Sequence, residues 1–175
     1  MSRLVVSTAT TVDGVMSVEG WYVSEGGHDR AGRELLAQAE AMLLGRKNYE
    51  GLAGYWSPET GEWADLVNPM PKYVASRTLR APLTWNATLI EGELGENVAR
   101  LKAELDGDLI TFGCGELSRA LLERSLVDEL RFWVHPVLWG RGERPFGEQE
   151  ATRLRLLGAE MFDSGVTLLR YAPAA

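Results

Sequence analysis

Three stretches of this chain place glycine, hydroxyl and cationic groups where an apolar segment ends. Leu109-Ile110-Thr111-Phe112 runs into Gly113-Cys114-Gly115-Glu116-Leu117. Leu43-Leu44 runs into Gly45-Arg46-Lys47-Asn48, and Val74-Ala75 into Ser76-Arg77-Thr78. A strand that hands over to a helix leaves free backbone N–H groups at the positive end of the helix dipole, which suits a phosphate. Arg can hold phosphate with two parallel bonds, and Lys adds a point charge. Gly113-x-Gly115 opens a dinucleotide-type turn but does not complete it. The third glycine position is Ser118, and no acidic strand end follows at ribose-contact distance. Alone, this turn fits a tight connection as well as a ligand. Its repetition favours the ligand, because ligands of open α/β sheets lie beyond the carboxyl ends of the strands.

Asp29 is the candidate for proton chemistry, sixteen positions before Gly45 at the start of a helical pattern. The same residue type at the same place is also an ordinary helix N-cap. Glu25 and Glu50 read as solvated charges, His28 as an exposed loop residue and His135 as a core histidine. Cys114 has no evident partner for nucleophilic chemistry and reads as a small buried thiol. Trp21, Tyr22, Tyr49, Trp56 and Trp63 crowd the loops and short helices. Most of them should pack; Trp21 and Tyr49 are the candidates to stack on a flat substrate. The glycine-rich loop Gly140–Gly147 reads as a solvated connection.

The elements that must carry these groups alternate. Strands are expected at Leu4–Ala9, Ala41–Leu44, Lys72–Ser76, Thr84–Ile90, Asp108–Phe112 and Glu129–Leu138. Helices are expected at Arg30–Glu40, Lys47–Gly54, Leu94–Leu105 and Glu116–Arg124, with a short one around Trp63–Val67 inside an irregular Tyr55–Pro71. Thr10–Gly27 reads as a loop lining a pocket. Arg153–Phe162 and Val166–Tyr171 flank the turn Asp163-Ser164-Gly165. This order predicts a single α/β domain over residues 1–175, a mixed sheet with helices on both faces and a C-terminal antiparallel hairpin.

Composition narrows the partners. The net charge of −7 disfavours DNA, RNA and anionic membranes. Two His and one Cys do not suggest a zinc site, and the lone Cys fits a reducing compartment. No apolar run approaches the ~20 residues of a membrane span. The opening Met-Ser-Arg-Leu-Val-Val reads straight into a strand, so a cytoplasmic location is expected. Along Leu130–Leu138, Phe132, Val134 and Pro136 alternate with Arg131, Trp133, His135 and Val137. Neither side is polar throughout, which predicts a homodimer covering one of them.

Thr11-Val12-Asp13-Gly14, Leu43–Glu50, Pro71–Leu79, Thr111–Gly115 and Leu126–Leu130 leading to His135–Gly140 occur in the order found in the dihydrofolate reductase superfamily. The chain most resembles the branch of the C-terminal reductase domain of the bifunctional riboflavin-biosynthesis protein, the 5-amino-6-(5-phosphoribosylamino)uracil reductase-like branch. The resemblance implies an eight-stranded mixed sheet, NADPH across the strand ends and hydride transfer to a pterin, pyrimidine or related planar heterocycle. It places Ala9, Gly45, Arg46, Lys47, Asn48, Ser76, Arg77, Gly113, Cys114, Gly115, Glu116 and Leu117 on the cofactor. It also places Asp29 where these reductases carry their acid. Asn48 replaces a usual Thr and Cys114 the middle of three glycines. NADP differs from NAD by a 2′-phosphate, so Arg46, Lys47 and Arg77 predict a preference for NADPH. The alternative is a non-catalytic, dimeric nucleotide-binding protein on the same fold. A true dihydrofolate reductase fits less well, given the long Tyr55–Pro71 segment.

Overall fold

Six β-branched and leucine-rich segments line up parallel, and two more close the sheet as an antiparallel hairpin. The structure is a computed structural model and describes residues 2–148 and 150–174. The elements are β1 (Leu4–Thr11), α1 (Gly26–Leu36), β2 (Ala39–Gly45), α2 (Arg46–Trp56), α3 (Glu62–Val67), β3 (Lys72–Ala75), β4 (Ala87–Ile90), α4 (Leu94–Glu104), β5 (Asp108–Phe112), α5 (Glu116–Glu123), β6 (Glu129–His135), β7 (Leu154–Met161) and β8 (Thr167–Pro173). They form one eight-stranded sheet in the order β4-β3-β2-β5-β1-β6-β8-β7. Strands β4 through β6 are parallel, and β8 runs antiparallel to both β6 and β7. The expected mixed sheet with a closing hairpin is therefore the observed one.

Strands buried on both faces need apolar residues at successive positions, and the central ones have them. Leu4 and Val6 of β1, Leu43 of β2, Leu109 of β5 and Leu130 of β6 pack with Val98 and Leu101 of α4 and Leu121 of α5. Their neighbours Val5, Met42, Leu44 and Ile110 point the other way, onto Leu36 of α1, Tyr49 of α2 and Val67 of α3. Each fully buried side chain of this size contributes about 1.5–3 kcal/mol.

Several boundaries differ from the sequence reading, most of them by one or two residues. Helix α1 starts at Gly26, not Arg30, and ends at Leu36. Gly26-Gly27 looks like a turn, yet a Cβ on Gly27 would lie 3.3 Å from Asp163 and 3.4 Å from Phe162, so the helix uses glycine there for close approach. Ala39 then pairs with Asp108, so the expected end of α1 belongs to β2. Strand β4 begins at Ala87, because Trp85 (φ 59°) and Asn86 (φ 50°) hold left-handed conformations that a strand does not use. Strand β6 stops at His135 rather than Leu138, because Pro136 has no N–H to offer a ladder.

Candidate functional site

The three junctions meet. Strands β3, β2, β5 and β1 are neighbours, so Ser76, Gly45, Gly113 and Ala9 sit side by side along one carboxyl rim. Helix α2 starts straight after β2 with Gly45 as its N-cap, and no side chain caps it. Helix α5 starts after β5 with Gly115 as its N-cap, again without a side-chain cap. By contrast, Glu93 caps α4 by accepting from the Glu96 N–H at 2.8 Å. Two adjacent helices thus offer unused N–H groups and their positive dipole ends to one place.

The turn between β5 and α5 is held from three sides. The Gly113 N–H donates to Ser7 on β1 (2.9 Å), and the Gly113 carbonyl accepts the Ser118 hydroxyl (2.8 Å). The Asn48 amide on α2 donates to the Phe112 carbonyl. Gly113 has φ +77°, and a Cβ there would lie 3.4 Å from Asn48. The positive φ is what favours glycine there. Ser118, at the position of the missing third glycine, is buried and braces the turn. A Cβ on Gly115 would meet nothing within 4 Å, so the chain's own side chains leave the space above the turn open. Cys114 is buried and its carbonyl accepts the Phe146 N–H at 2.6 Å. Burial pushes its thiol up to about 12, which makes it unreactive at neutral pH. Glu116 is exposed in the first turn of α5, and Leu117 is half-buried against Gly45.

The rim's cations are exposed. Arg46 donates to the Thr78 hydroxyl at 3.3 Å, which links the second junction to the third. Ser76 accepts from the N–H groups of Thr78 (3.2 Å) and Leu79 (3.0 Å), so it shapes the turn that presents Arg77. Among the described residues, Arg46, Lys47 and Arg77 have no carboxylate partner, although six other basic side chains, Arg3, Arg33, Lys102, Arg124, Arg131 and Arg170, are ion-paired. That set can hold a phosphorylated nucleotide.

Asp29 is not an N-cap. It lies inside α1, whose N-cap is Glu25. Its carboxylate accepts the Trp63 indole N–H (2.7 Å), the Ser24 hydroxyl and the Arg33 guanidinium. Burial works to raise its pKa, but the bonds from Ser24, Trp63 and Arg33 outweigh burial and hold it below the ordinary value. An ionised, paired carboxylate is a poor proton donor at neutral pH, so the expectation of a usable acid is not what this geometry supports. Trp21 and Tyr49 are both committed to packing. The Trp21 ring lies 5.1 Å from His135 and its N–H donates to Ser17 (2.6 Å). Tyr49 is in the core, its hydroxyl bonded to Thr84.

Several residues gained weight only in three dimensions. Asp13 accepts from the Thr11 hydroxyl (2.6 Å) and from the Trp139 (3.0 Å) and Gly140 (2.7 Å) N–H groups, and these bonds hold its carboxyl down to about 2. It ties the loop after β1 to the loop after β6. The latter is therefore more than a solvated connection: Gly142 packs so closely on Val15 that a Cβ would come within 2.7 Å. His28 is buried, not exposed. Its Nε2–H donates to the Val23 carbonyl (3.0 Å), which leaves Nδ1 to accept from Ser164 (2.8 Å). His135 is buried as expected; burial, with His28 nearby, lowers its pKa to about 4. A cleft of about 210 Å³ lies here, lined by Trp21, His28, His135, Val137 and Ser164. No helix among the described residues is long and apolar enough to cross a membrane.

A family model for the RibD C-terminal domain matches residues 2–168. The chain is 28% identical over 181 residues to the uncharacterized protein YyaP of Bacillus subtilis (strain 168), covering 97% of this chain and 94% of that one. A solved protein from Shewanella sp. PV-4, provisionally assigned to riboflavin biosynthesis, aligns over 100% of both chains with a TM-score of 0.77 at 20% identity. A Thermotoga maritima diaminohydroxyphosphoribosylaminopyrimidine deaminase/5-amino-6-(5-phosphoribosylamino)uracil reductase aligns at TM-score 0.71 and 13% identity, over 99% of this chain and 57% of that one. These structural likenesses establish the fold.

Proposed function

The chain belongs to the RibD C-terminal domain family, and from that membership we propose an NADPH-dependent reductase that transfers a hydride to a small planar heterocycle of the pyrimidine or pterin type. The observation that carries the proposal is the pair of uncapped helix N-termini, α2 and α5, converging on one rim beside Arg46, Lys47 and Arg77. The N–H groups of the Gly113–Leu117 turn would hold the diphosphate, and Arg46 and Arg77 the adenosine 2′-phosphate. The bound coenzyme supplies the hydride. The chain supplies position and charge, with Gly113, Ser118 and Asn48 keeping the turn rigid. Asp29, ionised and held by Arg33, does not serve as the acid in this scheme, so the acceptor's proton comes from solvent.

The test is titration of the protein with NADPH and with NADH by calorimetry, followed by a screen of pyrimidines and pterins for loss of nicotinamide absorbance. A clear preference for NADPH and turnover with one acceptor are the expected results. Equal affinities would remove the phosphate assignment. Coenzyme binding without turnover on any acceptor would favour the second reading, a non-catalytic nucleotide-binding protein. The commitment of Trp21 to packing on His135 and of Tyr49 to the core is what supports that second reading.

A further inference from the structure

We propose that Ser164 and His28 are a nucleophile and its base, and that the cleft beside them hydrolyses small, uncharged carboxylic esters. A serine hydroxyl is a weak nucleophile until a base takes its proton, and the base works best when a third group fixes its tautomer and direction. All three parts are present. The Ser164 hydroxyl lies 2.8 Å from His28 Nδ1. His28 Nε2 lies 3.0 Å from the Val23 carbonyl, which can only accept, so the ring hydrogen sits on Nε2. Nδ1 therefore presents a lone pair, and the Ser164 hydroxyl donates to it. The imidazole is buried and Ser164 is half-buried, so the base is shielded from water while the nucleophile can be reached.

The fold brings the pair together from distant parts of the chain. His28 is in the first turn of α1, and Ser164 lies in the turn between β7 and β8. That turn is tight. Gly165 holds φ +82° and donates to the Phe162 carbonyl at 2.9 Å, and Asp163 accepts the Ser164 N–H at 3.0 Å. These bonds fix the backbone on both sides of Ser164. A bond that merely pinned the hairpin to α1 would need no cleft beside it. Here the two residues line one of about 210 Å³. His135 lines it too and is neutral at pH 7, so one of its ring nitrogens carries a hydrogen. Its Nε2 is buried and has no partner among the described residues. With the hydrogen there, it is a donor with capacity for the oxyanion of an acyl intermediate.

Size and charge select the substrate. Sites for drug-sized ligands run to roughly 300–1,000 Å³, so this smaller cleft limits the acyl group to a few carbons. Trp21, Val23, Val137 and Val166 supply apolar wall. Among the described residues lining it, Glu25 is the one carboxylate and there is no Lys or Arg, which disfavours an anionic acyl group. The reaction balances with ester and water alone. Ser164 Oγ bonds to the carbonyl carbon as its proton passes to His28 Nδ1. The bond from that carbon to the alcohol oxygen breaks, and the alcohol leaves with the proton. Water, deprotonated by the same nitrogen, then displaces the serine and releases the acid.

The inference is independent of the reductase reading, because its test needs no coenzyme. A fluorophosphonate probe, which phosphonylates activated serines, should label the full chain once, with the label on Ser164 by peptide mass spectrometry. General base catalysis contributes about 10²–10⁴-fold, so Ser164→Ala and His28→Gln should each lower kcat/KM for p-nitrophenyl acetate at least roughly 100-fold. Circular dichroism should show both variants folded. If His28→Gln misfolds, Ser164→Ala and the labelling decide. A bond that only pins the hairpin would lower the urea midpoint of Ser164→Ala and leave the natural chain unlabelled. No label on the natural chain, a label on another residue, or hydrolysis unchanged in Ser164→Ala overturns the proposal.

Discussion

The two ends of the same strands treat charge in opposite ways. At the amino edge, charges close on one another. Arg3 bridges Asp108 (2.6 Å) and Glu129 (2.9 Å), and Arg131 and Arg170 each bind Glu129 at 2.7 Å. Glu129 is 1% exposed and Arg131 2%. At the carboxyl edge, Arg46, Lys47 and Arg77 have no carboxylate among the described residues, and the helices beside them are uncapped. At the amino edge Arg3, Arg131 and Arg170 all converge on Glu129, although the buried Arg131 Nη2 keeps no partner among the described residues. The carboxyl edge leaves cations and N–H groups with bonding capacity to spare. Residue type alone does not separate the two groups of arginines; the company each one keeps does.

The largest expected effect tests the closed edge. Glu129→Ala leaves Arg131 buried without its acid, and breaking a buried pair from one side costs about 3–5 kcal/mol. Urea unfolding should show that loss, while NADPH affinity per folded molecule stays unchanged. A loss below roughly 1 kcal/mol would mean that the network is dispensable, which would dissolve the contrast between the edges. Acid titration sharpens the same point. Burial works to raise the Glu129 pKa, but the bonds from Arg170 and Arg131 win and carry it down to about 2. Its folded pKa lies below its unfolded one, so its contribution is present above about pH 4.3 and fades as pH falls toward 2. His135 begins earlier. Its folded pKa of about 4 lies below the unfolded value of about 6.5, so the unfolded chain takes up a proton first and stability falls between those limits. The urea midpoint should therefore decline in two stages, and His135→Gln should remove the upper one.

The open edge is tested by Arg77→Ala and Arg46→Ala. A charge-assisted bond to phosphate is worth about 1.5–3 kcal/mol, so each variant should bind NADPH roughly 10- to 100-fold more weakly. NADH affinity and thermal stability should be unchanged. A variant that loses NADH equally has disturbed the turn and not the 2′-phosphate contact.

The edges were not equally legible in the sequence. The rim junctions are local: Gly45-Arg46-Lys47 and Gly113-Cys114-Gly115 are contiguous, and the short link from strand to helix forces their backbone to the strand ends. The central strands were legible for the same reason, as with Asp108–Phe112, whose run of apolar and β-branched residues has a single interpretation. Non-local contacts decided the rest. Gly26-Gly27 has the local signature of a turn, and nothing local announces that Gly27 packs beside Asp163 and Phe162, far along the chain, in the first turn of α1. Nothing near Glu129 in sequence announces that Arg3 and Arg170 converge on it. Along β6 the alternation was legible, but it did not say which side α1 covers. His28 of that helix packs 5.4 Å from His135, so the Phe132 and Val134 side is the one that α1 does not cover.

Asp29 gives the smallest expected effect and the finest test of the contrast, because it is an acid at the wrong end. It lies toward the carboxyl edge yet is paired like the acids of the amino edge, with Arg33 four residues on along the same helix and Trp63 across from α3. If its pairing is its role, Asp29→Asn keeps the shape and the Trp63 bond and loses only the ion pair. That pair is partly exposed, and removing it should cost roughly 0.5–1 kcal/mol. Because its folded pKa is lowered, Asp29 stabilises the chain above its ordinary carboxylate range, and the variant should differ least from the natural protein in acid. The reductase rate should then fall less than about threefold, with an unchanged pH profile. An acid in the reaction behaves otherwise. General acid catalysis contributes about 10²–10⁴-fold, and its loss would remove one limb of the pH–rate curve. A hundredfold drop in kcat with the fold intact would put a proton donor back at residue 29 and make the helix pair a way of tuning it.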